Sequence, residues 1–172
     1  MDILLLIVNI FWFIAPSYVA NGFPPLMRGK RPLDFGRKVR NHRILGDSKT
    51  LEGTIGGIMF GFFIGTLQVI YQDTLPFRLY DMTFPLVIAM VFGTMAGDII
   101  GSFIKRRAGF NSGDSAMLLD QLGFLLAALV LASLVQPIEP YIILTLIAVT
   151  PPIHMLTNFI GCHVMKVKNN PW

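Results

Sequence analysis

Three carboxylates and a group of lysines and arginines in this chain stand where charge is costly. Asp98 lies inside an apolar run, seven residues before Lys105, which is about 10 Å along a helix axis at 1.5 Å per residue. A carboxylate at such a depth in hydrocarbon costs about 2.5–3.5 kcal/mol on insertion scales, and such residues usually face a partner or a cavity. Asp98, Ser102 and Lys105 are spaced i, i+4, i+7, so they share one helix face. Arg106 and Arg107 follow, and then Asp114, Asp120 and Gln121. Carboxylates beside a basic triplet suit a magnesium–polyphosphate complex. Magnesium takes oxygen ligands, usually one or two carboxylates plus substrate phosphates, and the cations neutralise the phosphate charge that remains. Asp98, Asp114 and Asp120 are therefore candidate metal ligands.

A second group opens another apolar run. Lys49, Thr50, Glu52 and Gly53 stand at its start, with Gly56 and Gly57 one turn deeper. Amides at a helix N-terminus attract anions, and glycine lets a phosphate approach the backbone. Lys49 supplies a point charge for phosphate. Plainer readings stand beside these. A structural ion pair accounts for Asp98, an interfacial lysine for Lys49, a surface charge network for the acidic and basic loop residues, and a helix opener for Asp120. Asn21 precedes the helix-ending string Gly22-Phe23-Pro24-Pro25. It reaches the same cavity or simply helps to end the run.

The elements that position these residues are membrane spans. Of 172 residues, 53% are hydrophobic and only 14% charged, and the mean hydropathy is +0.62. A soluble domain carries about 25% charged residues. The apolar content excludes a disordered chain, and the lone cysteine, Cys162, excludes a disulfide-held fold. A spanning helix needs about 20 mostly apolar residues. Five stretches qualify: Ile3 to Val19, Thr54 to Tyr71, Thr83 to Ile104, Ala116 to Val135 and Tyr141 to Val164. The expected architecture is an all-α integral membrane protein, one domain over residues 1–172, with long loops at about 24–53 and 105–116. Pro151 and Pro152 should kink the fifth span. The first span lacks a basic leader and a convincing cleavage site, so it is read as retained. Gly53, Gly57, Gly61 and Gly65 form one small-residue stripe, and Gly93, Gly97 and Gly101 another, both suited to close helix packing.

The loops set the orientation. Arg28, Lys30, Arg31, Arg37, Lys38, Arg40, Arg43, Lys49, Lys105, Arg106, Arg107, Lys166 and Lys168 fall on one side, and Arg78 alone on the other, with Asp2, Asp73, Asp81 and Glu139. The positive-inside rule puts the basic side in the cytoplasm, with the N-terminus outside and the C-terminus inside. The net charge of +4 thus reports orientation and not a nucleic-acid partner. Other signals fail. Asp34-Phe35-Gly36 lacks the rest of a kinase, no Walker A string is present, and His42, His154 and His163 lack zinc-site spacing.

Two strings carry a resemblance. Gly-Asp-Ser-Lys-Thr-Leu-Glu-Gly-Thr-Ile-Gly-Gly, Gly46 to Gly57, resembles the Ser-Pro-x-Lys-Thr-x-Glu-Gly-x-x-Gly-Gly stretch of bacterial CDP-diacylglycerol synthases. Gly97 to Phe110 resembles that family's Gly-Asp-x-x-x-Ser-x-x-Lys-Arg signature. The chain departs from the bacterial pattern after the Lys-Arg pair. Asn111-Ser112 replaces Lys-Asp, the Pro-Gly-His-Gly-Gly segment is missing, and Asp120-Gln121-Leu122-Gly123 replaces Asp-Arg-x-Asp. Asp114 is then a candidate substitute for a lost carboxylate. The short five-span form and the string Arg31-Pro32-Leu33-Asp34-Phe35-Gly36 resemble the family's archaeal branch, the CDP-archaeol synthases.

The resemblance implies a membrane cytidylyltransferase of phospholipid biosynthesis. It would use CTP, magnesium and an isoprenoid glycerol ether phosphate, 2,3-bis-O-geranylgeranylglycerol 1-phosphate, with its active site facing the cytoplasm. It implies catalytic roles for Lys49, Asp98, Lys105 and Arg106. Metal would rest on Asp98, Asp114 and Asp120, and substrate on Asn21, Thr50, Gly53, Ser102, Arg107 and Gln121. The rivals are a CTP-dependent polyprenol kinase, a transporter with an intramembrane acidic site and a non-catalytic lipid-phosphate binder. A homo-oligomer is left open.

Overall fold

The structure, a computed structural model, describes residues 3–39, 42–112 and 114–166. Asp2, Arg40 and Lys168 of the charge pattern lie outside these residues. Five α-helices dominate: α1 (Ile3–Gly22), α2 (Leu51–Tyr71), α3 (Phe84–Arg107), α4 (Met117–Ser133) and α5 (Pro140–His163). α1, α2, α3 and α5 are long and apolar enough to cross a membrane, whereas α4 is a shorter apolar helix. The expected fourth span of about 20 residues is thus corrected to a helix of 17, about 26 Å long. It starts one residue late and stops at Ser133, where the chain turns toward Pro137. α5 remains helical through Pro151 and Pro152.

Local chemistry sets the ends. Thr50 caps α2 by accepting a hydrogen bond from the Gly53 amide (3.2 Å), and Thr83 caps α3 through the Leu86 amide (3.4 Å). Lys105, Arg106 and Arg107 occupy the last turn of α3 and Asp120 the first turn of α4, each with the favourable sign for the helix dipole. The core gathers Phe13, Ile14, Leu86, Met90, Leu125, Ile142 and Leu146, all fully buried. The outer faces are apolar too: Ile3, Phe63 and Leu144 are 73%, 56% and 68% exposed. Such a surface fits lipid as the solvent.

Without a water-driven force between helices in lipid, association depends on close packing and interhelical hydrogen bonds. The glycine stripes supply the first. A Cβ on Gly61 would lie 2.9 Å from the Ala20 Cβ and 3.0 Å from the Pro16 carbonyl of α1, and one on Gly93 2.8 Å from the Ala128 Cα of α4. Gly97 lies against the Gly123 carbonyl. Hence α3 and α4 run antiparallel in backbone contact. α2 meets α3 in the same way, Gly65 against Val87, Gly61 against Val91 and Gly57 against Met95. Polar ties add direction: Tyr18 Oη pairs with Thr150 Oγ1 (2.6 Å), and Gln68 donates to the Trp12 carbonyl (2.6 Å).

The long loop between α1 and α2 is a folded cap. A 3₁₀ turn, Pro24–Met27, leads to a two-residue hairpin, β1 (Lys38–Val39) with β2 (His42–Arg43). Asp34 is buried at the loop's centre, and its carboxylate accepts from Arg43 (2.6 and 3.2 Å) and from the amides of Gly36, Leu45 and Gly46. Burial opposes its ionisation, but Arg43 and the three amides outweigh that and hold the carboxyl well below the usual carboxylate range.

Candidate active site

The antiparallel register of α2 and α3 decides where Lys49 goes. Gly57 lies against Met95, so one turn further toward the α2 N-terminus comes level with Asp98. Residues 31–33 run beside residues 49–51 and hold them: the Leu33 amide donates to the Lys49 carbonyl and the Leu51 amide to the Arg31 carbonyl, both at 2.8 Å. Lys49 Nζ then meets Asp98 Oδ2 at 2.5 Å. On the neighbouring side Gly101 lies against Leu119 of α4. This brings Lys105 Nζ to Asp120 Oδ1 at 2.6 Å. The second Asp120 oxygen accepts from the Ala116 amide (2.9 Å), and Lys105 also donates to the Asp114 carbonyl (3.2 Å).

Directly after Lys105 in sequence comes the most unusual group. Arg106 is only 5% exposed, yet its Nε and Nη1 have no partner among the described residues. Its stem packs beside Gly46, whose φ of +90° is a left-handed conformation that glycine adopts without strain. A buried guanidinium edge without an acceptor is unfavourable in the free protein. An anion is the kind of partner such an edge accepts. Ser102, one turn before it, and Gln121, on α4, are buried as well.

Several expected site residues make structural contacts. Arg107 donates to the carbonyls of Val39 (3.3 Å) and Arg43 (2.8 Å) and stacks over Phe103, so it fastens the cap to α3. Asp114 accepts from the Asn111 amide (2.7 Å) and closes its own turn. Among the described residues no three His, Cys, Asp or Glu side chains gather as a metal cluster. Of the expected metal ligands, Asp98 and Asp120 are each paired with a lysine, and Asp114 caps a turn. Gly56 and Gly57 pack against Met27 and the Ala20 carbonyl and do not present open backbone to a phosphate. The Gly53 amide is taken by Thr50. Asn21 lines a cavity of about 220 Å³ between the ends of α1 and α5, with Pro25, Thr157 and Gly161.

The sequence reading named Asp34, Arg43 and Ser112 but gave them no part in holding the site together. Ser112 accepts the Asp47 amide (3.0 Å), and Arg43 reaches Asp47 at 2.5 Å, so the two basic loops are tied together beside Arg106. The signal for Asp34 was an acidic residue followed by Gly36 at positive φ, which is turn chemistry and not kinase chemistry.

Comparison with known proteins bears on the family and the fold. The family described as CarS-like: CDP-archaeol synthase matches residues 3–172. A CDP-archaeol synthase of Pyrococcus furiosus is 42% identical over 167 residues, which cover 96% of this chain and 98% of that one. One from Archaeoglobus fulgidus is 38% identical over 180 aligned positions, covering 97% and 98%. A solved structure, described as an intramembrane enzyme for archaeal membrane lipids biosynthesis, superposes with a TM-score of 0.74 at 32% identity, covering 86% of this chain and 91% of that chain. Sequence over nearly the whole length and fold thus point the same way: this chain belongs to the CDP-archaeol synthase family.

Proposed function

We propose that this protein joins CTP to an isoprenoid glycerol ether phosphate, 2,3-bis-O-geranylgeranylglycerol 1-phosphate, giving the CDP-linked lipid and pyrophosphate. An oxygen of the lipid phosphate attacks the α-phosphorus of CTP. The bond from that phosphorus to the α–β bridging oxygen breaks, and pyrophosphate leaves. Both reactants are anions, so catalysis consists mainly of positioning and charge neutralisation. The lipid phosphate is already ionised near pH 7, so no strong base is required.

The observation that carries this reading is the buried Arg106 with two unpartnered nitrogens, next in sequence to Lys105, which pairs with Asp120. In this assignment Arg106, Lys105 and Lys49 hold phosphates. Asp98 and Asp120 would hold magnesium, with Asp114 as a third candidate carboxylate. Two carboxylates without a third protein ligand fit magnesium, whose remaining places fall to phosphate oxygens and water. Magnesium, when bound, neutralises triphosphate charge and orients the leaving group. Thr50 and Ser102 are hydroxyl donors at the margin, Gln121 and Gly53 line the site, and Arg107 keeps the cap in place. All five helices cross the bilayer, with the N-terminus outside and the site facing the cytoplasm. The lipid phosphate enters sideways, its chains against the apolar helix faces.

The test uses purified protein, magnesium and α-labelled CTP with the geranylgeranyl diether phosphate or with a diacyl phosphatidate. Label in the diether lipid is the expected result. Label only in the diacyl lipid moves the substrate and keeps the chemistry. Label transferred only from γ-labelled CTP turns the reading into a kinase, and absence of CTP binding rejects it.

A further inference from the structure

The charged groups of the site fill one another. Lys49 is paired with Asp98 at 2.5 Å and Lys105 with Asp120 at 2.6 Å, and all four side chains are between 12% and 28% exposed. These are the same lysines assigned to phosphate and the same carboxylates assigned to metal. A divalent cation arriving alone must displace an ammonium group from its carboxylate. That ammonium is then left partly buried, unpaired and next to a second positive charge. A triphosphate arriving alone must draw the lysine away and leave an unpaired carboxylate near a new anion. When the two arrive together, every displaced charge gains a new partner.

The geometry also says which group moves. The Asp120 carboxylate is held by the Ala116 amide (2.9 Å) as well as by Lys105. It therefore keeps its place when the lysine leaves. Lysine carries its charge on a flexible four-carbon stem and can swing between acceptors. Arg106 provides the landing point, because its free nitrogens need no existing partner to be displaced.

We infer that Lys49 and Lys105 are internal counter-ions of the metal-ligand carboxylates, so that divalent metal and CTP bind interdependently and each binds the empty site only weakly by itself. This rests on the assignment of Asp98 and Asp120 to metal. Lys49 and Lys105 act as positioning groups before nucleotide binding and as phosphate ligands after it. Coupling of this kind is reciprocal: the factor by which metal tightens CTP equals the factor by which CTP tightens metal.

The experiment measures Mn²⁺ binding to the detergent-purified full chain without nucleotide, by the electron paramagnetic resonance of free Mn²⁺. Radiolabelled CTP binding is measured with Mn²⁺ and with chelator. Lipid is omitted, so no turnover occurs. Wild type should bind each ligand weakly alone. Lys49→Met should tighten nucleotide-free Mn²⁺ binding by at least about tenfold, the lower end of the effect of a neighbouring opposite charge on a carboxylate's affinity for a proton. Lys105→Met, which probes the other pair independently, should do the same, and each should reduce the Mn²⁺ dependence of CTP binding. Unchanged Mn²⁺ affinity in both folded variants, with CTP-dependent metal binding intact, overturns the counter-ion inference and leaves the metal assignment standing. Persistence of the Lys49→Met gain in the Lys49→Met, Asp98→Asn double variant rejects Asp98 as the metal ligand, and the inference with it.

Discussion

Arg106 and Asp98 respond to substitution in opposite ways. Arg106 is buried with Nε and Nη1 unpartnered, and an apolar side chain in place of an uncompensated buried charge is often neutral or stabilising. Arg106→Met should therefore unfold at the same or a higher temperature in detergent. Its turnover at low CTP should fall at least about tenfold, the loss of one hydrogen bond to a charged group at roughly 1.5–3 kcal/mol. Asp98 has a partner in Lys49, and its amide isostere keeps an oxygen that can accept from that lysine. Asp98→Asn should stay folded by circular dichroism, while turnover falls at least about 100-fold, since even outer-shell groups of metal sites are worth about 10–100-fold. Full activity in Asp98→Asn would remove its metal role. Asp98, Lys105 and Arg106 were legible in the sequence, because charge beside apolar runs is expensive. That Arg107 fastens the cap was not legible, because adjacent arginines differ only in which way a helix turn points them.

At the scale of elements, the α3–α4 contact sets the spacing of the two lysine–carboxylate pairs. A Cβ on Gly97 would press into the Gly123 carbonyl and the Phe124 Cα, which are backbone atoms with little room to yield. Gly97→Val should destabilise the bundle by about 1–3 kcal/mol. It should also lower activity more than that loss explains, measured as specific activity of the folded fraction. The cap makes a pH prediction. Asp34 is held well below the usual carboxylate range by Arg43 and the amides of Gly36, Leu45 and Gly46, against the opposing effect of burial. Its folded value is depressed, so its contribution is fully present above the unfolded value of about 3.9. It is lost as pH falls below that toward the folded value. Proteolysis within residues 31–49 should thus accelerate below about pH 4 in wild type, using an acid-active protease. Asp34→Asn should show fast cleavage already at neutral pH; equal cleavage of the two proteins at neutral pH would deny Asp34 this role. The glycine stripes announced the packing faces in advance. The cap did not announce itself, because Asp34, Arg43 and Ser112 meet only after the chain returns on itself, and no periodicity marks such a meeting.

For the whole molecule, the decisive feature is one basic end on an apolar bundle. The orientation proposed above is tested with a membrane-impermeant thiol reagent in a Cys162→Ala background. Asp73→Cys should label from outside intact cells, and Lys30→Cys only after permeabilisation; the reverse pattern would invert the molecule. Both positions are exposed in loops at opposite ends of α2. By itself the sequence determined the helical membrane architecture, the family, the packing stripes and most of the charged residues at the site. Hydrocarbon penalises charge and unpaired backbone so strongly that these features show as composition and spacing. Only the tertiary structure decided how those charges are paired. It set Lys49 on Asp98 and Lys105 on Asp120, turned the Asp114 carboxylate to the Asn111 amide, joined Arg107 to the cap and left two Arg106 nitrogens without a partner among the described residues. Those outcomes depend on the register between α2, α3 and α4, and register is set by which atoms close against each glycine, a long-range property that neighbouring residues in the chain do not carry.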